Sequence, residues 1–583
     1  MGMSGDPGLS EEQQRYLEGF LRGVAAKLGA GVPAATDPAL DIHRAAQDRF
    51  LAQGKSLVPE ELAKREGHPL DMWDQIGANA AAGRFPKGLD VFRHKFFGLF
   101  YAAPSQDAFM CRLRMPNGIL SSHQLRGIAS IAERHGGGYA HVTTRANLQI
   151  REIGAASAIA VLTSLQDLGL TSRGAGADNI RNVTGSPTAG IDPQELIDTR
   201  PLAHALHHYI LNHRELYGLP RKFNIAFDGG GRIGVLEDTN DIGFAAARIG
   251  ADAGIEPGVY FRMQLGGITG HGDFARDTGV MLTPEQCVPM AVAVVRVFIG
   301  SGDRTDRKRA RLKYVLDEWG IEKFMEAVAK ELPFTPQHLP PETCEPRGPV
   351  LKQGHIGIHD QKQGGFSYAG VALPVGRLTA AQMRGLADIA QEFGSGTIRL
   401  TVWQNLILSD IPNGHVPALE ARIASLDLAT KVSAVRGGLV ACTGNTGCKF
   451  SATDTKGQAL VIADYLDRRI ALDQPINIHL TGCPNSCAQH YVGDIGLLGI
   501  KVGDDLVEGY TIMVGGGAGS ERSLARELYQ NVPMADVPAR LERILACYLA
   551  HRRVREETFH DFTQRHSVEE LKRLFAPAGA AAA

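Results

Sequence analysis

The sequence predicts an α+β protein built from two duplicated halves, and three observations carry that prediction. The segment GILSSHQLRGIASIAERHGGGYAHVTTRANLQI, from Gly118, and the segment GRLTAAQMRGLADIAQEFGSGTIRLTVWQNLIL, from Gly376, agree at roughly 13 of 33 positions without a gap. The shared positions include Gln124/Gln382, Arg126/Arg384, Gly127/Gly385, Gly136/Gly394, Thr143/Thr401 and Asn147/Asn405. The repeat resumes downstream at a slightly smaller offset. Asn224-Ile225 matches Asn477-Ile478, and Asp241-Ile242-Gly243 matches Asp494-Ile495-Gly496. The third observation is a local order, helix then strand, that occurs in both copies.

Each element has its own reason. Residues from Met1 to about Lys64 precede the first repeat and read as mostly helical. In the repeats, Ser121 and Thr379 are side-chain caps. They precede Leu125, Ile128, Ile131 and Ala132, or their equivalents, at helical spacing. Gly136 to Gly138 and Gly394 to Gly396 stop those helices. The stretches YAHVTTRANLQIREI and TIRLTVWQNLILSDI then alternate and read as strands. A proline-rich segment from Pro333 to His355 is the natural linker between halves, and Ala576 to Ala583 read as a tail without fixed structure.

Composition narrows the function. Against 61 Lys+Arg stand 63 Asp+Glu, so a broad nucleic-acid footprint is excluded. Hydrophobic residues at 44% supply large cores, and 68 glycines imply many tight turns and close backbone approaches. The N-terminus has neither the basic lead nor the apolar core of an export signal. The most apolar stretch, MAVAVVRVFIG from Met290 to Gly300, is too short to span a bilayer. A cytoplasmic protein is expected. Eight cysteines are too few for a disulfide scaffold of this size, and four of them form two tight pairs.

Those pairs are the strongest chemical signal. ACTGNTGC places Cys442 and Cys448 at C-x5-C, and TGCPNSC places Cys483 and Cys487 at C-x3-C. Structural zinc sites favour shorter C-x2-C turns, whereas iron–sulfur clusters take four thiolates at many spacings. The spacing favours a cluster, with zinc and unligated core thiols as the alternatives. Cys111, Cys287, Cys344 and Cys547 are isolated and read as small buried hydrophobes.

The first half has no cysteines at the matching places. Aligned by the repeat, Val183-Thr184-Gly185 faces Cys442-Thr443-Gly444, and Gly229-Gly230 faces Gly482-Cys483. It carries cations instead. Arg145 ends the strand stretch, Arg181 lies in DNIRNVTGSP, and Lys222 lies in LPRKFNIAF. Lys222 and Asn224 fall on one face of a strand, as do Arg145, Asn147 and Gln149. A single such cation is ordinarily solvated; their place opposite the cysteine loops raises a binding reading. GGGRIG, Gly229 to Gly234, matches a dinucleotide fingerprint, but VLEDTNDIG follows as strand and turn where a helix is required, so nucleotide binding is rejected. The basic run DRTDRKRARLKY, Asp303 to Tyr314, reads either as a solvated helix face or as an anion-binding edge for a carboxylate-rich cofactor or an acidic partner.

Together these motifs resemble the siroheme-containing nitrite and sulfite reductases, over residues from about 60 to about 560. The resemblance implies, in each half, a ferredoxin-like (parachute) module followed by a mixed α/β cofactor-binding domain. The implied division is 1–64 extension, 65–165 and 356–428 ferredoxin-like half-domains, 166–332 and 429–575 cofactor-binding domains, and 333–355 linker. It implies that Cys442, Cys448, Cys483 and Cys487 bind a 4Fe-4S cluster, and that Cys487 also ligates the siroheme iron. It places Arg145, Arg181, Lys222 and Asn224 around the oxyanion, with Arg114, Asn147, Gln149 and Arg221 toward the cofactor. GGGAG, Gly515 to Gly519, resembles a family turn that approaches the cofactor.

Asn224 bears on the substrate. Sulfite-reducing relatives have a second lysine there, and a neutral donor suits monoanionic nitrite better than largely dianionic sulfite, because a surplus buried cation is costly. FMCRLRMPNG, ACTGNTGC and TGCPNSC also resemble the nitrite branch. The implied activity is six-electron reduction of nitrite to ammonium, with ferredoxin as donor, in a chain that can act as a monomer. The alternatives are an assimilatory sulfite reductase on the same scaffold, an iron–sulfur electron carrier, a zinc-stabilised binding protein, and a shorter corrin-pathway member of the superfamily.

Overall fold

The computed structural model describes residues 38–576; most of the N-terminal extension and nearly all of the alanine-rich tail lie outside them. The described part of the extension is helical, at Pro38–Ala52 and Pro59–Glu66. The rest of the chain forms four sheets in two kinds.

The first kind follows from the repeat. Ser121 and Thr379 cap the helices Ser122–His135 and Ala380–Phe393 with reciprocal bonds to Gln124 and Gln382. Each such cap is worth about 1 kcal/mol. Leu125, Ile128 and Ile131 are buried on one helix, and Met383, Leu386 and Ile389 on the other. Each side chain of that size stabilises by about 1.5–3 kcal/mol on burial. The two helices contact each other, and Arg126–Asp388 and Arg384–Glu133 ion pairs cross between them.

The alternating stretches are hairpins rather than single strands. Tyr139–Val142 and Leu148–Ile153 pair antiparallel, and Thr397–Leu400 and Leu406–Pro412 do the same. Nothing in YAHVTTRANLQIREI marks the turn with Gly or Pro; Ala146 takes the left-handed conformation, φ 45°, and Gln404 does so in the other copy, φ 60°. The halves also exchange an edge. Arg377–Thr379 from the second half pairs with Tyr139–Val142, and Ile119–Ser121 from the first pairs with Thr397–Leu400. Each of these two five-stranded sheets is therefore completed by the other half.

The second kind of sheet is mixed. In the first half, Thr184–Gly185, Ile225–Asp228 and Ile242–Ile249 run parallel, and Gly258–Leu265, Arg276–Leu282 and Gln337–His338 continue antiparallel. In the second half, Leu439–Ala441, Ile478–Thr481 and Ile495–Val502 run parallel, and Val507–Val514 and Arg526–Pro533 continue antiparallel. The proline-rich connection is not a free tether: Gln337–His338 joins the first mixed sheet, and Lys352 pairs with Asp494 and Glu521 of the second half.

Two sequence expectations change here. Asp303–Arg311 is irregular, with a helix beginning only at Leu312. Three of its arginines are held by carboxylates, and only Arg309 is exposed: Arg304 is buried against Glu61, Arg307 holds Asp178, and Arg311 pairs with Asp241 at 2.7 Å. Cys344 is partly exposed, while Cys111, Cys287 and Cys547 are buried as expected. GGGRIG leads into a short 3-10 turn, Glu237–Thr239, and a strand, which removes the dinucleotide reading.

Candidate functional site

A cavity of about 410 Å³ is walled by the strands Phe109–Arg112, Tyr139–Val142 and Leu148–Ile153 and by loops at the strand ends of the two mixed sheets. Cys442, Cys448, Cys483 and Cys487 line it, and so do Arg145, Asn147, Gln149, Arg181, Lys222 and Asn224. The sequence pairs are thus brought together. Cys442 and Cys483 follow the C-terminal ends of the adjacent parallel strands Leu439–Ala441 and Ile478–Thr481, the end at which such sheets present loops to ligands. Arg181, Lys222 and Asn224 do not occupy the equivalent end. They precede Thr184–Gly185 and Ile225–Asp228, at the N-terminal ends of the matching strands. Lys222 and Asn224 lie in extended chain just before their strand rather than on it.

The thiols stand close enough to feel one another. Burial, with Cys487, Cys442 and Cys448 adding to it, pushes the Cys483 thiol up to about 11. Burial and then Cys487 raise Cys442. Local donors already point at sulfur: Gly482 N–H reaches Cys442 Sγ at 3.3 Å, and the Asn485 amide reaches Cys483 Sγ at 3.5 Å. The helix Thr455–Asp467 starts beside Cys442, with Thr455 Oγ1 at 3.4 Å from its sulfur. Among the described residues, no three His, Cys, Asp or Glu side chains converge to hold one metal ion.

Charge in the cavity is one-sided. Eight of its lining residues are cations, Lys95, Arg112, Arg145, Arg151, Arg181, Lys222, Lys449 and Lys456, and none of the described lining residues is Asp or Glu. Burial and then Arg311, with Arg145 and Arg181 beyond, push the Lys222 ammonium down to about 7. Burial and Arg311 likewise lower Arg145 to about 10. Arg181 is also lowered, by burial and then Arg112. Burial brings Lys456 to about 7, against an opposing pull from Cys442. His141, also in the wall, is buried with neither ring nitrogen in a hydrogen bond.

Contacts between halves fix the walls. Thr144 Oγ1 donates to Cys487 O at 2.9 Å, which ties the Arg145 turn to the cysteine loop. Asn182 Nδ2 holds the same turn through Arg145 O and Ala146 O. Arg151 Nη2 donates to Gly447 O, and Gln489 Nε2 to Thr239 Oγ1, both at 2.9 Å. Arg181 spans Ala175 O and Ala177 O at 2.9 and 2.7 Å.

Several sequence expectations are corrected. Arg114 does not line this cavity: it is fully buried behind it, with Nη1 on Ile180 O at 2.6 Å. Arg112, two residues earlier, is the one that lines the cavity, over the Phe100 ring at 4.5 Å. Asn147 spends its amide on Leu113 O and Leu148 N. Gln149 faces Arg112 at 3.2 Å once its amide is oriented to satisfy both groups. Asn224 acts as an acceptor: with its nitrogen on Phe223 O, its oxygen takes a bond from Arg145 Nη2 at 2.9 Å. Gly515–Gly519 lines neither this cavity nor the neighbouring one, and packs on Tyr491, Gly493 and Asp238.

That neighbouring cavity, about 220 Å³, shares Arg145, Lys222 and Asn224 and adds Arg221, Arg307, Lys308 and Arg311. The basic run therefore reaches the site from its far side. Arg151 extends the Asn147, Gln149 period by one step and was legible in principle; Lys449 and Lys456 flank Cys448 with no periodic signal.

Comparison with known proteins agrees with this layout. Residues 176–335 and 434–578 match the nitrite and sulphite reductase 4Fe-4S domain, and residues 101–168 and 359–426 match the nitrite/sulfite reductase ferredoxin-like half domain. Ferredoxin–nitrite reductase of Synechococcus elongatus is 36% identical over 497 residues, 83% of this chain and 95% of that one. The chloroplastic ferredoxin–nitrite reductase of Zea mays is 35% identical over 526 residues, 86% of this chain and 91% of that one. Among solved structures, Mycobacterium tuberculosis NirA superposes with a TM-score of 0.81 at 28% identity, covering 89% of this chain and 98% of that one.

Proposed function

Because this chain belongs to the nitrite and sulphite reductase family, we propose that it is an oxidoreductase that reduces nitrite to ammonium with electrons from ferredoxin. The balance is one nitrite, six electrons and eight protons to one ammonium and two waters. One observation carries the reading: four thiols and eight uncompensated cations share a single cavity.

The donor set fits both cofactors. A 4Fe-4S cluster takes four thiolates at its corners rather than around one ion, and Cys442, Cys448, Cys483 and Cys487 would supply them, with Cys487 also toward the siroheme iron. A wall of cations without acids is costly unless a polyanion fills it, and siroheme is a polycarboxylate. Arg112, Arg151, Arg221 and Lys308 would hold its carboxylates, with Gln149 orienting Arg112. When bound, the siroheme iron and the cluster supply a site for the nitrogen of nitrite and a path for single electrons.

The remaining chemistry falls to side chains. Arg145, at about 10, stays charged near neutral pH, and together with Arg181 it offsets the charge of the bound anion as oxygen leaves. Lys222, held at about 7, carries and releases a proton in the working range, which suits it to proton delivery. Asn224 holds Arg145 in place. We keep the division into residues 1–64, 65–165, 166–332, 333–355, 356–428 and 429–575, a single chain as the working unit, and the cytoplasm as the compartment, where these free thiols stay reduced.

The test is anaerobic turnover with reduced ferredoxin. One ammonium per six electrons consumed is expected, with an optical spectrum containing siroheme bands. A colourless protein, or electrons consumed without ammonium, would refute the reading.

A further inference from the structure

The Arg145 guanidinium is held in the cavity by two side-chain amides, and neither partner is charged. Nη1 donates to Asn240 Oδ1 at 2.9 Å, and Nη2 meets the Asn224 oxygen at 2.9 Å. Asn240 is 3% exposed, and its own nitrogen is committed to Leu236 O at 2.7 Å and Glu237 O at 3.3 Å. That commitment fixes which end of the amide faces the arginine. The adjacent carboxylate, Asp241, is turned to Arg311 and to Asn224 N–H.

The duplicated half provides an internal control. By the repeat, Trp403 stands where Arg145 stands, Asn477 where Asn224 stands, and Gly493 where Asn240 stands. Asp494 keeps the role of Asp241, accepting from Asn477 N–H at 2.7 Å and pairing with Lys352. With a tryptophan in place of the arginine, the buried Asn477 Oδ1 has no hydrogen-bond partner among the described residues. The shared scaffold needs the aspartate in both halves. The second asparagine occurs only where an arginine must be held.

We propose that Asn240 is a positioning residue for the substrate anion: its amide oxygen fixes the Arg145 guanidinium without neutralising it, so the arginine's charge remains available to nitrite. This rests on the nitrite reading above. A carboxylate at position 240 would make a stronger bond, but it would pair with the guanidinium and weaken its field on the substrate. An amide oxygen supplies direction alone.

The test compares an anion with a neutral ligand on the holoenzyme. Nitrite affinity is read by optical titration and by KM and kcat with reduced methyl viologen; carbon monoxide affinity is read on the reduced enzyme. Asn240→Asp is expected to raise nitrite Kd and KM about tenfold and to lower kcat/KM at least as much, with carbon monoxide affinity within about twofold of wild type. Asn240→Ser, which removes the contact without adding charge, is expected to raise nitrite Kd about threefold. Parallel losses for nitrite and carbon monoxide, or no loss in either variant, would overturn the proposal. So would loss of siroheme from both variants, which would assign Asn240 to the fold alone. If wild type binds another oxyanion in preference to nitrite, the substrate reading fails, and the same ratio measured with that anion still decides for or against Asn240.

Discussion

The two mixed sheets share a strand order and a sequence ancestry, yet they offer opposite ends to the same cavity. The second half contributes the C-terminal ends of its parallel strands, where Cys442 and Cys483 begin the thiol loops. The first half contributes the N-terminal ends, where Arg181, Lys222 and Asn224 stand. The exchanged edge strands make the reason visible: two similar halves face each other in reciprocal fashion, so a common cavity meets one half head-on and the other from behind. The same duplication creates a mate to the cavity, and there Ile191, Ile233, Tyr368 and Ile407 form an apolar cluster against Trp403. One copy of the arrangement is an open, cation-lined cavity; in the other, apolar side chains pack together. Duplication therefore provided two surfaces, and function arose from how they diverged.

The largest effect should come from the thiol end. Cys483→Ser is expected to abolish turnover and lower cluster iron and acid-labile sulfide, with the far-ultraviolet circular dichroism retained; unchanged iron content would remove this residue from the ligand set. Arg145→Trp makes the open copy resemble the filled one. It should reduce kcat/KM for nitrite by about 10²–10³-fold while the protein stays folded, a loss visible in steady-state kinetics.

Lys222→Gln is expected to lower kcat by roughly 10²-fold and to change the pH profile. A lysine is charged below its pKa, so a value near 7 means the free enzyme loses this cation as pH rises through neutrality. Wild-type kcat/KM should fall above about pH 7, bound nitrite should shift the limb in kcat upward, and the variant should lack the limb. A limb retained in the variant would assign it to another group, with Lys456, also at about 7, next in line.

In the filled copy the consequences reverse. Trp403→Ala should cost about 2–3 kcal/mol of unfolding free energy, read by denaturant titration, with KM for nitrite unchanged. The smallest effect is on preference. Asn224→Lys removes an acceptor from Arg145 and adds a charge, and the ratio of sulfite to nitrite kcat/KM should rise about tenfold.

How much of this was legible follows from what each signal encodes. The duplication, both capped helices and the four thiols could be read directly, because repeats, Ser/Thr caps and cysteine spacing are local. The hairpins were read as strands because Ala146 and Gln404 adopt a left-handed turn without glycine. The edge exchange was invisible, since three-residue strands carry no pairing information. Arg112 and Arg114 are two residues apart, a spacing that predicts one face, but the strand Phe109–Arg112 ends before Arg114, so only tertiary packing decides which meets the cavity. The basic run left a solvated face and an anion-binding edge equally open, because the partners of Arg304, Arg307 and Arg311, which are Glu61, Asp178 and Asp241, are far away in sequence.

The selection of nitrite rests on this pairing of thiols with uncompensated cations. It is tested most directly by anaerobic turnover with reduced methyl viologen, nitrite and sulfite in parallel, counting ammonium and sulfide. Ammonium formed with a clear kcat/KM preference for nitrite is the predicted result. Efficient sulfide formation with slow nitrite turnover would contradict it, leaving the scaffold in place and the substrate misassigned.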